Sequence, residues 1–141
     1  MYNVSMISKY IINYFYSKNL PISNLKLQKL LYFVQAQFLV KKNTPCFPEE
    51  IEAWDFGPVV PEVYRKYKKF GSSNLPFEQS QSFFITKNDK ELINGILDKC
   101  SHYSATELVG ITHRQTPWLK AYQPYQSNII TKNSIREYFS D

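Results

Sequence analysis

Apolar residues fall at helical spacing from the start of the chain. Ile7, Tyr10, Ile11, Tyr14 and Phe15 recur at i, i+3, i+4 and i+7, which places them on one face of a helix over about 5–18. After Leu20-Pro21-Ile22 a longer helix is expected from Ser23 or Asn24 to about Lys42, either residue being able to cap it. Leu27, Leu30, Leu31, Val34 and Phe38 form its stripe, and Phe33 and Leu39 widen it, which predicts a central, mostly buried helix. The period then changes. Residues 50–54 (Glu-Ile-Glu-Ala-Trp) alternate polar and apolar, the signature of a half-buried strand. Asp55-Phe56-Gly57-Pro58 turns the chain, with Gly57 free to take a positive φ.

Pro61 suits the first turn of a third helix, where its missing N–H costs nothing. That helix carries Val60, Val63, Tyr64 and Tyr67 on one face, with Arg65, Lys66, Lys68 and Lys69 opposite and Gly71 just past its end. Residues 83–86 (Phe-Phe-Ile-Thr) read as a second short strand paired with the first. Asn88 with Glu91, and Ser104 with Glu107, make capping-box patterns that open a fourth and a fifth helix. Their inward residues are Leu92, Ile93, Ile96, Leu97 and Cys100, then Leu108, Val109 and Thr112. Pro117-Trp118 suggests a further helix start, and a last helix over about 132–139 follows a Thr131 cap. Stretches 43–48 and 71–82, rich in Pro, Ser, Asn or Gly, are the expected loops. These elements predict a mainly α (α+β) fold: one compact domain over 1–141, of about six helices with a small two-stranded β-hairpin.

A length of 141 residues suits one domain with its own core. No apolar run approaches the roughly 20 residues that cross a bilayer, and the N-terminal stretch lacks the features of a secretory signal. Two cysteines, Cys46 and Cys100, stand far apart with no CxxC, which favours a reducing compartment. A cytoplasmic protein is expected. The net charge of +5 would suit nucleic acid or an acidic partner. However, Lys outnumbers Arg 14 to 3 and Ala occurs four times, a profile that an AT-rich coding sequence produces whatever the function.

The residues offer little catalytic chemistry. Four glycines, at 57, 71, 95 and 110, cannot form a phosphate-binding loop. Cys100-x-His102 has ligand types but too few donors for zinc. Glu49, Glu50, Glu52 and Asp55 could hold Mg²⁺ in a metal-dependent hydrolase, yet like charges on one face of an edge strand also blunt edge pairing, which is a structural role. His113 has no acid or nucleophile beside it and reads as a hydrogen-bonding residue. The basic run around 60–70, interleaved with Tyr64, Tyr67 and Phe70, resembles a phosphate-contacting surface of a nucleic-acid-binding regulator, but with no recognition motif beside it a solvated helix face is the better reading. No catalytic residue, metal or cofactor is expected, and the residues point to a binding module.

Three blocks carry the reading further. They are residues 24–32 (Asn-Leu-Lys-Leu-Gln-Lys-Leu-Leu-Tyr), residues 53–64 from Ala53-Trp54 through Gly57-Pro58-Val59 to Tyr64, and Leu108-Val109-x-x-Thr112-His113 followed by Pro117-Trp118. In this order, over roughly residues 5–122, the chain resembles the Panacea antitoxin-like domain family, met also as phage-associated GepA-type and SocA-like proteins. The resemblance implies a non-enzymatic antitoxin of a bacterial or prophage pair that binds its cognate toxin. In the SocA-like branch it implies delivery of that toxin to a ClpXP protease. Lys26, Leu27, Lys29, Leu30, Tyr32, Trp54, Gly57, Pro58, Val59, Tyr64, Pro117 and Trp118 are then scaffold, the two tryptophans supplying large buried area. Arg65, Lys66, Lys68, Lys69, His113 and Arg114 are the expected partner contacts. DNA binding is the competing expectation, and membrane contact is not expected. The family pattern has an acidic residue between His113 and Pro117, where this chain has Arg114-Gln115-Thr116, implying a partner of different charge.

Overall fold

The computed structural model of the chain describes residues 1–80 and 82–140. The element order among them is α1 (Val4–Ser17), α2 (Asn24–Lys41), β1 (Ile51–Trp54), β2 (Gly57–Val59), α3 (Pro61–Tyr67), α4 (Lys87–Cys100), α5 (Ala105–His113), α6 (Thr116–Ala121), β3 (Asn128–Ile130) and α7 (Lys132–Phe139). Short 3₁₀ turns follow α3 at Lys68–Phe70 and precede α4 at Ser82–Phe84. The molecule is mainly helical, with one small antiparallel sheet in the order β2-β1-β3.

Helix starts are set locally. A side-chain oxygen just before the helix accepts an otherwise unpaired N–H of the first turn. Asn3, Ser23, Thr86, Ser104 and Thr131 do this for α1, α2, α4, α5 and α7, and Ser104 completes a reciprocal capping box with Glu107. At α4 the cap is Thr86, two residues before the expected Asn88, because Thr86 Oγ1 lies 3.2 Å from the Asp89 amide.

Helix α2 is the axis of the fold. It packs against α1, α3, α4, α5, α7 and β2, and Leu27, Leu30, Leu31, Val34, Phe38 and Leu39 are buried along it. The α1–α4 seam is half polar: the hydroxyls of Tyr10 and Tyr14 donate to Asn94 Oδ1 and Asp98 Oδ1, each at 2.6 Å, while Ile7, Ile11 and Phe15 lie inward. Gly71 closes the turn after α3 with φ +55°, a backbone state that glycine adopts without steric penalty.

The sheet departs from expectation in two ways. Phe83–Thr86 is no strand; it holds the end of a 3₁₀ turn and the α4 cap, and Phe83 and Phe84 are exposed. β1 pairs instead with β2, Trp54 opposite Gly57, and with β3, Ile51 opposite Ile130. β1 is therefore the central strand, so Glu52 guards no free edge, and Glu50 lies just before the strand, bonded by Lys132 Nζ at 3.2 Å.

Candidate functional site

The three sequence blocks meet around the β1–β2 hairpin. Proline cannot donate a backbone hydrogen bond, so within sheets it belongs on an edge strand, and Pro58 occupies the outer strand β2. Its carbonyl would be left without a partner where β2 meets α2. Lys29 of α2 supplies one, its Nζ donating to Pro58 O at 2.7 Å. Beside it, Val60 N donates to Gln28 Oε1 at 2.9 Å. The same glutamine donates through Nε2 to Asn24 Oδ1 at 2.9 Å. Two adjacent α2 side chains thus satisfy the outward backbone groups of the edge strand, as buried polar groups require.

Lys29 is fully buried, and Pro58 O is its one hydrogen-bond partner among the described residues. Loss of water pulls its ammonium down to about 7. Gly57, at φ +105°, lies directly over it. A Cβ there would stand 2.8 Å from both Lys29 Cε and Thr112 Oγ1, so the close approach and the backbone angle both demand glycine. Farther along α2, the buried Tyr32 hydroxyl donates to Gln115 Oε1 at 2.8 Å, tying α2 to the α5–α6 junction. Lys26 donates to Ser101 O at 3.0 Å and lies over the Phe15 ring, while Leu27 and Leu30 fill the core.

The two tryptophans are not equivalent. Trp118 is nearly buried with Pro117 at the start of α6, stacks between His113 and Tyr122 at centroid distances of 4.2 and 4.5 Å, and donates Nε1–H to Trp54 O at 2.8 Å. Trp54, expected buried, is only half-buried; its ring meets Tyr64 at 5.0 Å and its Nε1–H binds Glu52 Oε1 at 2.9 Å. His113 Nε2 binds Asp55 O at 2.9 Å, the hydrogen-bonding role read from its surroundings.

On its other side the hairpin borders an open cleft of about 300 Å³, lined by Leu25, Trp54, Phe56, Val59, Tyr64 and Tyr125 among others. The expected contact residues differ in their freedom. Lys66 Nζ lies 3.6 Å from Glu78, and Lys69 rests over the Phe70 ring at 5.3 Å. Arg65 and Lys68 are exposed and form no ion pair or hydrogen bond among the described residues. Arg114 is exposed at the end of α5. The four carboxylates do not converge: Glu50 binds Lys132, Glu52 binds Trp54, Asp55 accepts from the Tyr122 hydroxyl, and Glu49 keeps a buried Oε1 with no hydrogen-bond partner among the described residues. Among the described residues no group of three or more His, Cys, Asp or Glu side chains could hold a metal ion. Cys46 is buried, and burial pushes the half-buried Cys100 thiol up.

Sequence reasoning missed Gln28 and Gln115 as polar ties, and Leu25, Phe56 and Tyr125 as cleft residues. Gln28 had a signal, a glutamine inside the otherwise apolar α2 stripe, whereas Gln115 sits in the short α5–α6 junction, where no period marks it. Tyr125 had only the preceding Pro124.

A buried polar junction built from the KLQKLLY, GPV and TH…PW segments defines a helical scaffold of one kind, and the comparisons identify it. The family model for the antitoxin SocA-like Panacea domain matches residues 27–119, from α2 through α6, and the chain belongs to that family. The chain is also similar to Antitoxin SocA of Caulobacter vibrioides (strain NA1000 / CB15N), 36% identical over 112 residues that cover 71% of this chain. The aligned part spans 60% of that protein's length. No solved structure gives a significant match. No helix among the described residues is long and apolar enough to cross a membrane.

Proposed function

We propose that this protein is an antitoxin that neutralises a co-encoded toxin in the cytoplasm by direct, stoichiometric binding, acting through contact and not through catalysis. One observation carries this reading: the match to an antitoxin family runs through the elements that build the hairpin junction and most of the cleft beside it. Of the matched motif residues, Lys29, Gly57, Pro58 and Trp118 hold the hairpin from its inner side, while Trp54, Val59 and Tyr64 border the outer cleft that is left for a partner.

Partner contact is placed on Arg65, Lys66, Lys68 and Lys69, with His113 and Arg114 at the end of α5. Charges at a rim mainly steer the encounter. Replacing the four α3-face cations with Ser should slow toxin association at low salt and matter less at high salt, where the screening length falls to a few ångströms. Lost DNA binding with unchanged toxin kinetics would reassign the face to nucleic acid. The function itself is tested by co-expression with the neighbouring gene. Rescue of growth together with a one-to-one complex supports it, whereas neither rescue nor complex refutes it. A toxin that disappears only in ClpXP-proficient cells assigns neutralisation to proteolytic delivery.

A further inference from the structure

We infer that the cleft outside the hairpin is the pocket that receives an apolar side chain of the toxin, carried on a segment whose acidic residues meet Arg65 and Lys68. This deepens the antitoxin reading above and rests on it. Four rings from separate parts of the chain frame the cleft: Trp54 from β1, Phe56 from the hairpin turn, Tyr64 from α3 and Tyr125 from the loop before β3. Aromatic residues gathered around a small pocket are the usual anchors of protein recognition. The volume of about 300 Å³ lies at the small end of the range for binding pockets, which suits one inserted side chain.

Two of these rings serve no internal packing. Phe56 is 66% exposed, and Tyr125 is fully exposed. Tyr125 also holds φ +65°, in the turn position after Pro124 where glycine or asparagine is the ordinary choice. A scaffold with no use for that ring would be better served by glycine.

Charge selects the occupant. Asp55 lines the cleft and accepts from the Tyr122 hydroxyl, and Glu52 accepts from Trp54 Nε1–H; both donors are neutral, so the hairpin side of the cleft keeps its negative charge. Lys68 follows Tyr64 by four residues, one helical turn from the cleft wall, and neither it nor Arg65 has an internal partner among the described residues. The one carboxylate of α3, Glu62, stands a turn before Arg65. The first turn of α2, which brings Leu25 to the cleft, carries no acidic residue. The charges left unpaired on the α3 side of the cleft are therefore positive, and an acidic residue flanking the inserted apolar side chain meets Arg65 and Lys68 there. A second copy of this chain would bring the same +5 charge and the same two cations, so self-docking is disfavoured.

The test uses the full chain co-expressed with the product of the neighbouring gene. A photo-crosslinking p-benzoylphenylalanine is placed at Phe56, at Tyr125, or at the exposed Tyr103 as a control. Crosslinks should form at the first two positions only. The captured toxin peptide should carry a large apolar residue with Asp or Glu within about four positions. Phe56→Ser, Tyr125→Gly and the pair Arg65→Glu/Lys68→Glu should each weaken the complex about tenfold or more without lowering the melting temperature. Lys87→Glu/Lys99→Glu should leave the affinity unchanged. A complex that survives all these changes, or crosslinks into a basic peptide, overturns this assignment and leaves the antitoxin reading standing. Absence of any complex with the wild-type chain overturns both. Binding of a single-stranded oligonucleotide that is lost in Phe56→Ser, with toxin affinity intact, hands the cleft to nucleic acid and overturns the proposal.

Discussion

The two sides of the β1–β2 hairpin are built by opposite rules. On the α2 side the hairpin's outward backbone groups are paired and the backbones approach closely: Lys29 on Pro58 O, Gln28 on Val60 N, and Gly57 packed against Lys29 and Thr112. On the cleft side large rings stand in solvent, Tyr125 holds an unfavourable backbone angle, and Arg65 and Lys68 lack internal partners among the described residues. One side spends its residues on folding, and the other, on the function proposed above, keeps them free for contact. Because the inner side fixes the hairpin, residues of the outer side can vary without loss of the scaffold.

The largest expected effect tests the inner side. Trp118→Ala removes a nearly buried, doubly stacked ring and the bond to Trp54 O, and should cost roughly 3–5 kcal/mol, lowering Tm by about 10 °C or more in a thermal melt. A small shift would mean that the inner side tolerates voids and that the contrast fails. Gly57→Ala comes next. It forces an L side chain into φ +105° against Lys29 and Thr112, and should cost about 2 kcal/mol or more in chemical denaturation. Full stability would show that the hairpin can lift off α2.

Lys29 gives a signature in pH. Its folded-state value of about 7 lies well below that of an unfolded lysine, near 10.5. Between these values the unfolded chain binds the extra proton, so stability should rise with pH from about 7 to about 10, by at most ~1.4 kcal/mol per unit. Lys29→Met should flatten that slope between pH 7.5 and 9.5, measured by urea titration at several pH values. An unchanged slope would mean that the amine is not confined as its surroundings indicate. The smallest effect belongs to the outer side: Tyr125→Gly should leave stability equal or raise it by about 0.5–1 kcal/mol. A clear loss of stability would make Tyr125 part of the scaffold and blur the two sides.

Much of the fold was legible because its causes are local. The α2 stripe and the caps at Ser23, Ser104 and Thr131 depend on residues within a turn or two of one another. The strand at β1 was legible from its alternation. Its partners were not. β3 is three residues long, too short to show a period, and it joins β1 from 79 positions downstream, through the Ile51–Ile130 pair. Phe83–Thr86 looked strand-like because aromatic and β-branched residues favour strands, yet strand formation needs a neighbour, and β1 had both edges taken. The motif blocks were legible as scaffold. The cleft was not, since Trp54, Phe56, Tyr64 and Tyr125 come together only when β3's loop reaches the hairpin.

Sequence by itself determined the helical elements, the caps at Ser23, Ser104 and Thr131, the turn at Gly57-Pro58 and the family, since each rests on spacing or on identities a few residues apart. Tertiary structure alone decided which charges are spent and which are free. Lys29 and Lys68 are the same residue type on neighbouring elements, one fully buried on a proline carbonyl and one exposed in water. A lysine's state follows from what surrounds it, because burial removes the water that stabilises its charge, and no local pattern records where the rest of the chain will lie.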